Sequence, residues 1–427
     1  MNPAHPPGAA GAAPCWTEDQ AEGYLLGLEL FGMRFGLDRM RRLLLTLGEP
    51  QQRFGSVHVV GTNGKSSTVR MIAAILERHG LCTGAYLSPH LVRFGERVRI
   101  GEQDVSPDAF AAAVQRAAGA AAKVDRTLGE DDRVTQFEAL TAATFSEMAR
   151  REVDVAVIEA GLGGRWDATN VLDSRVAVLT NVGLEHTRWL GPTVRDIARE
   201  KLAVVRPGST LVVGPDLHPD AMDEARRVDA RLVVASAGAA GDAVELAARG
   251  GFQRRNFAVA RAAAEAYLGG LDEAAVMAAA AGTLVPGRFE QLSADPPTFL
   301  DGAHNPGGMV ALAETVREEL AGRPLTLVLS ILDDKDAGEM LRQVVPLARR
   351  VVATSNANPR ALSPATLESL ARQVGATDVR GVADPRRALA VAREAAGAEN
   401  GAVLVTGSIY LIADLLRTDP GKAGSTL

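Results

Sequence analysis

His58-Val59-Val60-Gly61-Thr62-Asn63-Gly64-Lys65-Ser66-Ser67 is the stretch on which the fold turns. A short β-branched run, Ser56 to Val60, ends in a glycine turn, and apolar residues at helical spacing follow: Val69, Ile72, Ala73 and Leu76. Strand, glycine loop and helix in that order make a phosphate cradle. The glycines let backbone N–H groups close around anionic oxygens, and the helix N-terminus adds a favourable field. Lys65 is placed to reach terminal phosphates, and a hydroxyl of Ser66 or Ser67 to meet Mg²⁺. The loop is a shortened form of the usual pattern, with Val59 where the first glycine of G-x-x-x-x-G-K-[ST] would stand.

Outward from this loop, buried-type runs alternate with helical patterns. Val153 to Ile158 and Val176 to Thr180 read as strands, as do Thr298 to Leu300, Leu325 to Ile331, Arg350 to Thr354 and Ala402 to Thr406. Apolar runs separated by helices predict parallel sheets covered on both faces, an α/β fold. The Ala-rich stretches 109–122 and 258–281 predict plain helices. Pro286, Gly287, Pro296 and Pro297 mark a break between two units. The expected organisation is a disordered tail (1–18), an N-terminal P-loop ATPase-type parallel-sheet domain (19–288), and a smaller C-terminal Rossmann-like α/β domain (297–427). Ligands of such folds bind at the carboxyl ends of the strands and between domains.

Composition excludes several classes. The chain has 427 residues and a net charge of −6, which argues against a nucleic-acid binder held by a general positive field. No run of 18 apolar residues predicts a membrane helix. The segment Met1 to Pro14 lacks the charged start and apolar core of a signal peptide. Two cysteines, Cys15 and Cys82, form no disulfide framework or zinc spacing, so the cytoplasm is the expected compartment. Of 46 basic residues only Lys65, Lys123, Lys201, Lys335 and Lys422 are lysines, and such a lysine marks a place where Arg would not serve.

The shortened loop resembles that of the Mur ligase superfamily. Further stretches resemble the dihydrofolate synthase/folylpolyglutamate synthase family: Tyr24-Leu25-Leu26-Gly27-Leu28-Glu29 with Phe31-Gly32, Leu87-Ser88-Pro89-His90-Leu91-Val92-Arg93-Phe94-Gly95-Glu96-Arg97-Val98-Arg99-Ile100, and Glu159 to Asn170. Gly183-Leu184-Glu185-His186-Thr187, Arg199-Glu200-Lys201, Pro286-Gly287-Arg288-Phe289, Asp301-Gly302-Ala303-His304-Asn305-Pro306 and Gly407-Ser408 continue the match, which spans residues 20 to 415. Lys201-Leu202-Ala203 departs from the family's usual Lys-Ala-Gly, and Ser66 stands where the family often has Gly.

The resemblance implies a ligase that forms an amide between L-glutamate and dihydropteroate, or the glutamate tail of a reduced folate, through an acyl phosphate made with ATP and Mg²⁺. It implies catalytic roles for Lys65, Lys201, His186 and His304. Thr62, Asn63, Gly64, Lys65, Ser66, Ser67, Asn256, Arg288 and Asp301 would hold ATP. Ser88, Glu159, His186 and Lys201, the last as a carbamate, would hold two Mg²⁺ ions. Thr135, Gln136, Phe137, Glu138, Trp166, Asp167 and Ala168 would form the folate pocket. Small-molecule substrates, neither nucleic acid nor membrane, are the expected partners, and the expected state is a monomer. A cell-wall type amino-acid ligase and a non-catalytic nucleotide-binding regulator are the competing readings, and the choice of acceptor stays open.

Overall fold

The computed structural model describes residues 15–29, 36–130, 132–236, 238 and 244–417. The 1–14 tail and Phe31-Gly32 lie outside the described residues. Trp16 and Thr17 are placed: the Trp16 ring packs tilted at 52° against Tyr24, and Thr17 with Gln20 forms a capping box that starts helix Glu18–Leu26.

The first sheet holds β1 (Gly55–Val60), β2 (Thr83–Tyr86), β3 (Val98–Ile100), β4 (Gln103–Asp104), β5 (Val155–Glu159), β6 (Val176–Leu179), β7 (Ser209–Val213) and β8 (Ala230–Val234). Their order is β4-β3-β2-β5-β1-β6-β7-β8. The six long strands are parallel, and the β3–β4 hairpin closes one edge antiparallel. Strand β1 sits between β5 and β6, so the chain leaves it in the crevice where strand connections diverge to either side.

The period of two along each strand separates the layers. Val57 and Val59 of β1 and Val155 and Val157 of β5 pack with helices Lys65–Arg78, Gly251–Leu268 and Glu273–Gly282. Ala156 and Ile158 point the other way, into a cluster with Phe110, Val114, Leu140 and Phe145 of helices Pro107–Asp125 and Gln136–Arg150. The Ala-rich stretch 258–281 is therefore two helices. Gly269 takes a left-handed conformation (φ 84°) that ends the first, and the Asp272 side chain caps the second.

The second sheet comprises β9 (Glu290–Ala294), β10 (Pro297–Leu300), β11 (Leu325–Leu329), β12 (Arg350–Ala353), β13 (Val379–Gly381) and β14 (Ala402–Thr406), in the order β13-β12-β11-β14-β10-β9. All pair parallel except β9. Leu325, Leu327 and Leu329 face one helical layer, while Val328, Val403 and Val405 face the other. Strand β9 falls between the two expected segments. It is an edge strand, Glu-Gln-Leu-Ser-Ala, with no buried residue, so no apolar pattern announces it.

Candidate active site

The phosphate loop is tied to the exit of β6. Thr180 Oγ1 donates to the Asn63 carbonyl at 2.7 Å, Asn63 N donates to Asn181 Oδ1 at 2.9 Å, and Gly183 N donates to Thr62 Oγ1 at 3.0 Å. Gly64 takes φ 82° and a Cβ there would run into Asn256 Oδ1, so the position requires glycine twice over. Lys65 Nζ donates to the Thr62 carbonyl at 3.2 Å, keeping its ammonium at the loop.

Beneath the loop lies Glu159, the last residue of β5 and 1% exposed. Ser66 Oγ donates to its Oε1 at 3.1 Å and Ser88 N to its Oε2 at 3.2 Å. Burial pushes its carboxyl up, opposed by Lys65, Ser66 and Ser88. Ser66 is thus the hydroxyl that faces this carboxylate, while Ser67 is buried at 2% exposure on the same helix.

Lys201 is 5% exposed in the last turn of helix Val194–Leu202. Its Nζ donates to the Gly61 carbonyl at 2.8 Å. Loss of hydration, with Lys65 close by, pulls its ammonium down to about 7. The lysine is reached by close packing: a Cβ on Gly164 would meet the carbonyls of Glu200 and Lys201 at 2.6 Å each.

His186 takes a left-handed conformation (φ 51°) at the start of the turn Thr187–Leu190. Loss of hydration pushes its ring down to about 4; Glu185 opposes this and Lys335, Lys65 and Lys201 reinforce it, so the imidazole is neutral at pH 7 with a lone pair to offer.

The second sheet closes the other side. Asn305 and Asn63 exchange side-chain amide hydrogen bonds at 2.9 and 3.2 Å, directly linking the phosphate loop to helix Pro306–Glu319, which Asn305 caps. Arg288 lines the cavity from this side. Asp301 is buried and accepts from Phe289 N at 2.9 Å and Ala303 N at 2.8 Å, so each of its oxygens already braces a local loop. His304 Nδ1 meets the Gly302 carbonyl at 2.8 Å, and its Nε2 lies 3.4 Å from Glu185 Oε1.

One cavity of about 1230 Å³ runs between the two sheets. It is lined by Thr62 to Ser67, Ser88, Glu159, His186 and Lys201 from the first unit and by Arg288, Asp301, His304 and Lys335 from the second, with Asn256 beside the loop. Of the folate set, Thr135, Phe137, Glu138, Trp166, Asp167 and Ala168 line the same cavity. Phe137 covers Gly161 so closely that a Cβ there would meet its Cζ at 2.7 Å, and Trp166 is 47% exposed.

Several of these side chains are committed to structure. Gln136 lies outside the wall: its amide donates to the Leu25 carbonyl at 2.9 Å and it is 2% exposed. Thr135 and Glu138 form the capping box of helix Gln136–Arg150, and Glu138 also holds Arg39 at 3.2 Å. Asp167 accepts from Leu162 N at 2.9 Å and Thr169 N at 3.0 Å, bracing the Gly-rich loop after β5.

Glu185 and Lys335 line the cavity and are absent from the sets drawn from the sequence. Glu185 Oε1 is buried without a well-formed hydrogen bond among the described residues, with Lys335 Nζ at 3.7 Å and His186 Nε2 at 3.8 Å. Burial works to raise its carboxyl, but His304, His186 and Lys65 hold it well below the usual range. Lys335 was legible in principle: three of the five lysines, Lys65, Lys201 and Lys335, converge on this cavity.

A P-loop sheet facing a second parallel sheet across a lysine-rich cavity is the layout of an ATP-dependent ligase of the Mur type, and the family described as "Mur ligase, glutamate ligase domain" matches residues 287–409. The dihydrofolate synthase/folylpolyglutamate synthase of Mycobacterium tuberculosis is 34% identical over 414 residues, covering 86% of this chain and 84% of that protein. The solved structure of M. tuberculosis folylpolyglutamate synthase complexed with ADP superposes with a TM-score of 0.86 at 33% identity, covering 96% of this chain and 99% of that one. A bifunctional folylpolyglutamate synthase/dihydrofolate synthase with Mn, AMPPNP and L-glutamate bound gives a TM-score of 0.80 at 28% identity, covering 94% and 97%. The chain belongs to the dihydrofolate synthase/folylpolyglutamate synthase family.

Proposed function

We propose that this chain is an ATP-dependent acid–amino-acid ligase that adds L-glutamate to dihydropteroate, to the glutamate tail of a reduced folate, or to both. The observation that carries the reading is the single cavity in which the phosphate loop, the buried Glu159 and Lys201, and Arg288 and His304 of the second sheet face one another.

The reaction has two steps. The acceptor carboxylate oxygen attacks the γ-phosphorus of ATP; the new P–O bond forms as the bond to ADP breaks, giving an acyl phosphate. The glutamate amine then attacks the acyl carbon, the C–N bond forms, phosphate leaves and the amine gives up a proton. The first step depends on positioning and charge neutralisation. Lys65 and Arg288 supply fixed cations to the polyphosphate from opposite sides. Phe137 and the exposed Trp166 offer flat apolar walls to a pterin, and His304, which lines the cavity from the second sheet, would meet the incoming amino acid.

The residues also fit a divalent cation. Glu159 is a buried carboxylate whose charge burial disfavours and a cation would stabilise, Ser66 and Ser88 stand beside it, and His186 is neutral. Such ions would supply Lewis-acid neutralisation of the transferring phosphoryl group. One Mg²⁺ would be held by Ser88 and Glu159, and a second by Glu159, His186 and Lys201. Lys201 would join that set as a carbamate, its neutral amine adding to CO₂ with an N–C bond formed and one proton released. An ammonium held to about 7 leaves a large neutral fraction at physiological pH for that addition.

The test is phosphate release from ATP with Mg²⁺ and L-glutamate, comparing dihydropteroate with a tetrahydrofolate as acceptor. Release that needs both acceptor and glutamate supports the reading and names the acceptor; acceptor-independent or absent release from folded protein rejects it.

A further inference from the structure

We propose that Leu91 and Glu96 are positioning residues that make Ser88, and with it the cation site at Glu159, depend on the seating of the second sheet. The proposal rests on the ligase reading above.

The loop between β2 and β3 is closed at its base by the Leu87 N–H donating to the Arg97 carbonyl at 2.9 Å. Inside it, the Glu96 carboxylate accepts three consecutive backbone N–H groups: Leu91 to Oε2 at 2.8 Å, Val92 and Arg93 to Oε1 at 2.9 and 2.8 Å. Three charge-assisted bonds to one carboxylate fix the backbone far more tightly than loop packing alone. Arg97, 1% exposed, adds a donor to His90 Nδ1 at 2.9 Å.

Ser88 and Leu91, near the start of this loop, touch different units. Ser88 holds Glu159 through its N–H at 3.2 Å and lies 3.4 Å from Ser66 Oγ through its carbonyl. Three residues on, Leu91 is 8% exposed and packs in the core of the second sheet, in one cluster with Leu300, Val403 and Ile412. Gly287, at the junction, lies beside it: a Cβ there would be in van der Waals contact with Leu91 Cδ1 at 3.4 Å and Ile412 Cγ2 at 3.7 Å. An apolar plug seated in one unit and a backbone N–H held at the cation site of the other are separated only by Pro89 and His90; with Glu96 fixing the backbone from Leu91 to Arg93 and Arg97 holding His90, they behave as one lever. When the second sheet shifts, Ser88 must shift with it.

The experiment measures ATP turnover with acceptor and glutamate as a function of Mg²⁺, and Mn²⁺ binding in the presence of ADP by electron paramagnetic resonance, for wild type, Leu91→Ala, Leu91→Met, Glu96→Gln and Val316→Ala; the two half-saturation points are expected to shift together. Val316 is buried on the opposite face of the second sheet and controls for lost packing. Leu91→Ala and Glu96→Gln are expected to raise the Mg²⁺ concentration for half-maximal rate about tenfold, within the usual range of coupling between sites. Leu91→Met refills the plug and restores it, and Val316→Ala lowers the melting temperature without moving it. Should Leu91→Ala fail to fold, Glu96→Gln carries the test. Half-saturation within twofold of wild type in the folded variants overturns the proposal. Wild-type turnover, measured in the same series, tests the ligase reading separately.

Discussion

Replacing Lys201 by Met tests the account of the active-site lysine where it is most exposed to error. The ammonium is held to about 7 against an ordinary 10.5, a gap of 3.5. At 1.36 kcal/mol per unit, burying the charged form costs up to about 5 kcal/mol below pH 7. The sign follows from proton counting. Between the folded and unfolded values the unfolded chain binds more protons at this site, so the lysine's penalty is complete below pH 7 and fades as pH rises toward 10.5. Met keeps the stem's volume but leaves the Gly61 carbonyl without its 2.8 Å donor, a loss of about 1 to 3 kcal/mol. Lys201→Met is therefore expected to be more stable than wild type by about 2 to 4 kcal/mol at pH 6.5 and about equal to it at pH 9.5. At the same time it should lose acceptor-dependent turnover. The assay is urea unfolding of both proteins at pH 6.5, 8 and 9.5 in metal-free, CO₂-free buffer, where a carbamate cannot form. A stability difference that does not change with pH, or a variant less stable at pH 6.5, refutes the burial argument.

Three further outcomes are expected. Gly64→Ala forces a Cβ at φ 82° into Asn256, so nucleotide affinity should fall at least about tenfold by calorimetric titration; an unchanged dissociation constant would mean the loop is not held in this conformation. Arg39→Met leaves the buried Glu138 without the guanidinium 3.2 Å away and should cost about 3 kcal/mol in unfolding experiments, and a variant as stable as wild type contradicts the pairing. In a double-mutant cycle on unfolding, Asn63→Ala and Asn305→Ala should show a coupling of about 1 to 2 kcal/mol from their two exchanged hydrogen bonds, whereas additive losses would show that the pair does not form in solution.

Much of the site was legible because its parts are local. The glycine pair around Thr62-Asn63, the carboxylate ending an apolar strand and a lysine in an Arg-rich chain each announce themselves within a few residues. The readings that needed adjusting concern side chains whose partners lie elsewhere. Thr135-Gln136-Phe137-Glu138 carries the same letters whether it meets a ligand or caps a helix. Gln136 turned out to serve the Leu25 carbonyl and Glu138 to serve Arg39, 99 positions away. Asp167 and Asp301 likewise spend their oxygens on nearby N–H groups, which a pattern of residue types does not distinguish from a ligand's hydrogen bonds.

By itself the sequence determined the alternation of strand and helix, the two sheets, and the position of the phosphate loop, because periodicity and glycine placement act over distances of a few residues. Only the tertiary structure decided how the halves meet. It set Leu91 into the core of the second sheet, paired Asn63 with Asn305 across 242 positions, and drew Glu185, His304 and Lys335 together. It also decided the charge state of Lys201, since the same side chain in water would be fully protonated at pH 7. Exclusion of solvent by the phosphate loop, whose Gly61 carbonyl takes its Nζ, and by Gly164 packed on its backbone, which no local pattern encodes, is what pulls its ammonium down.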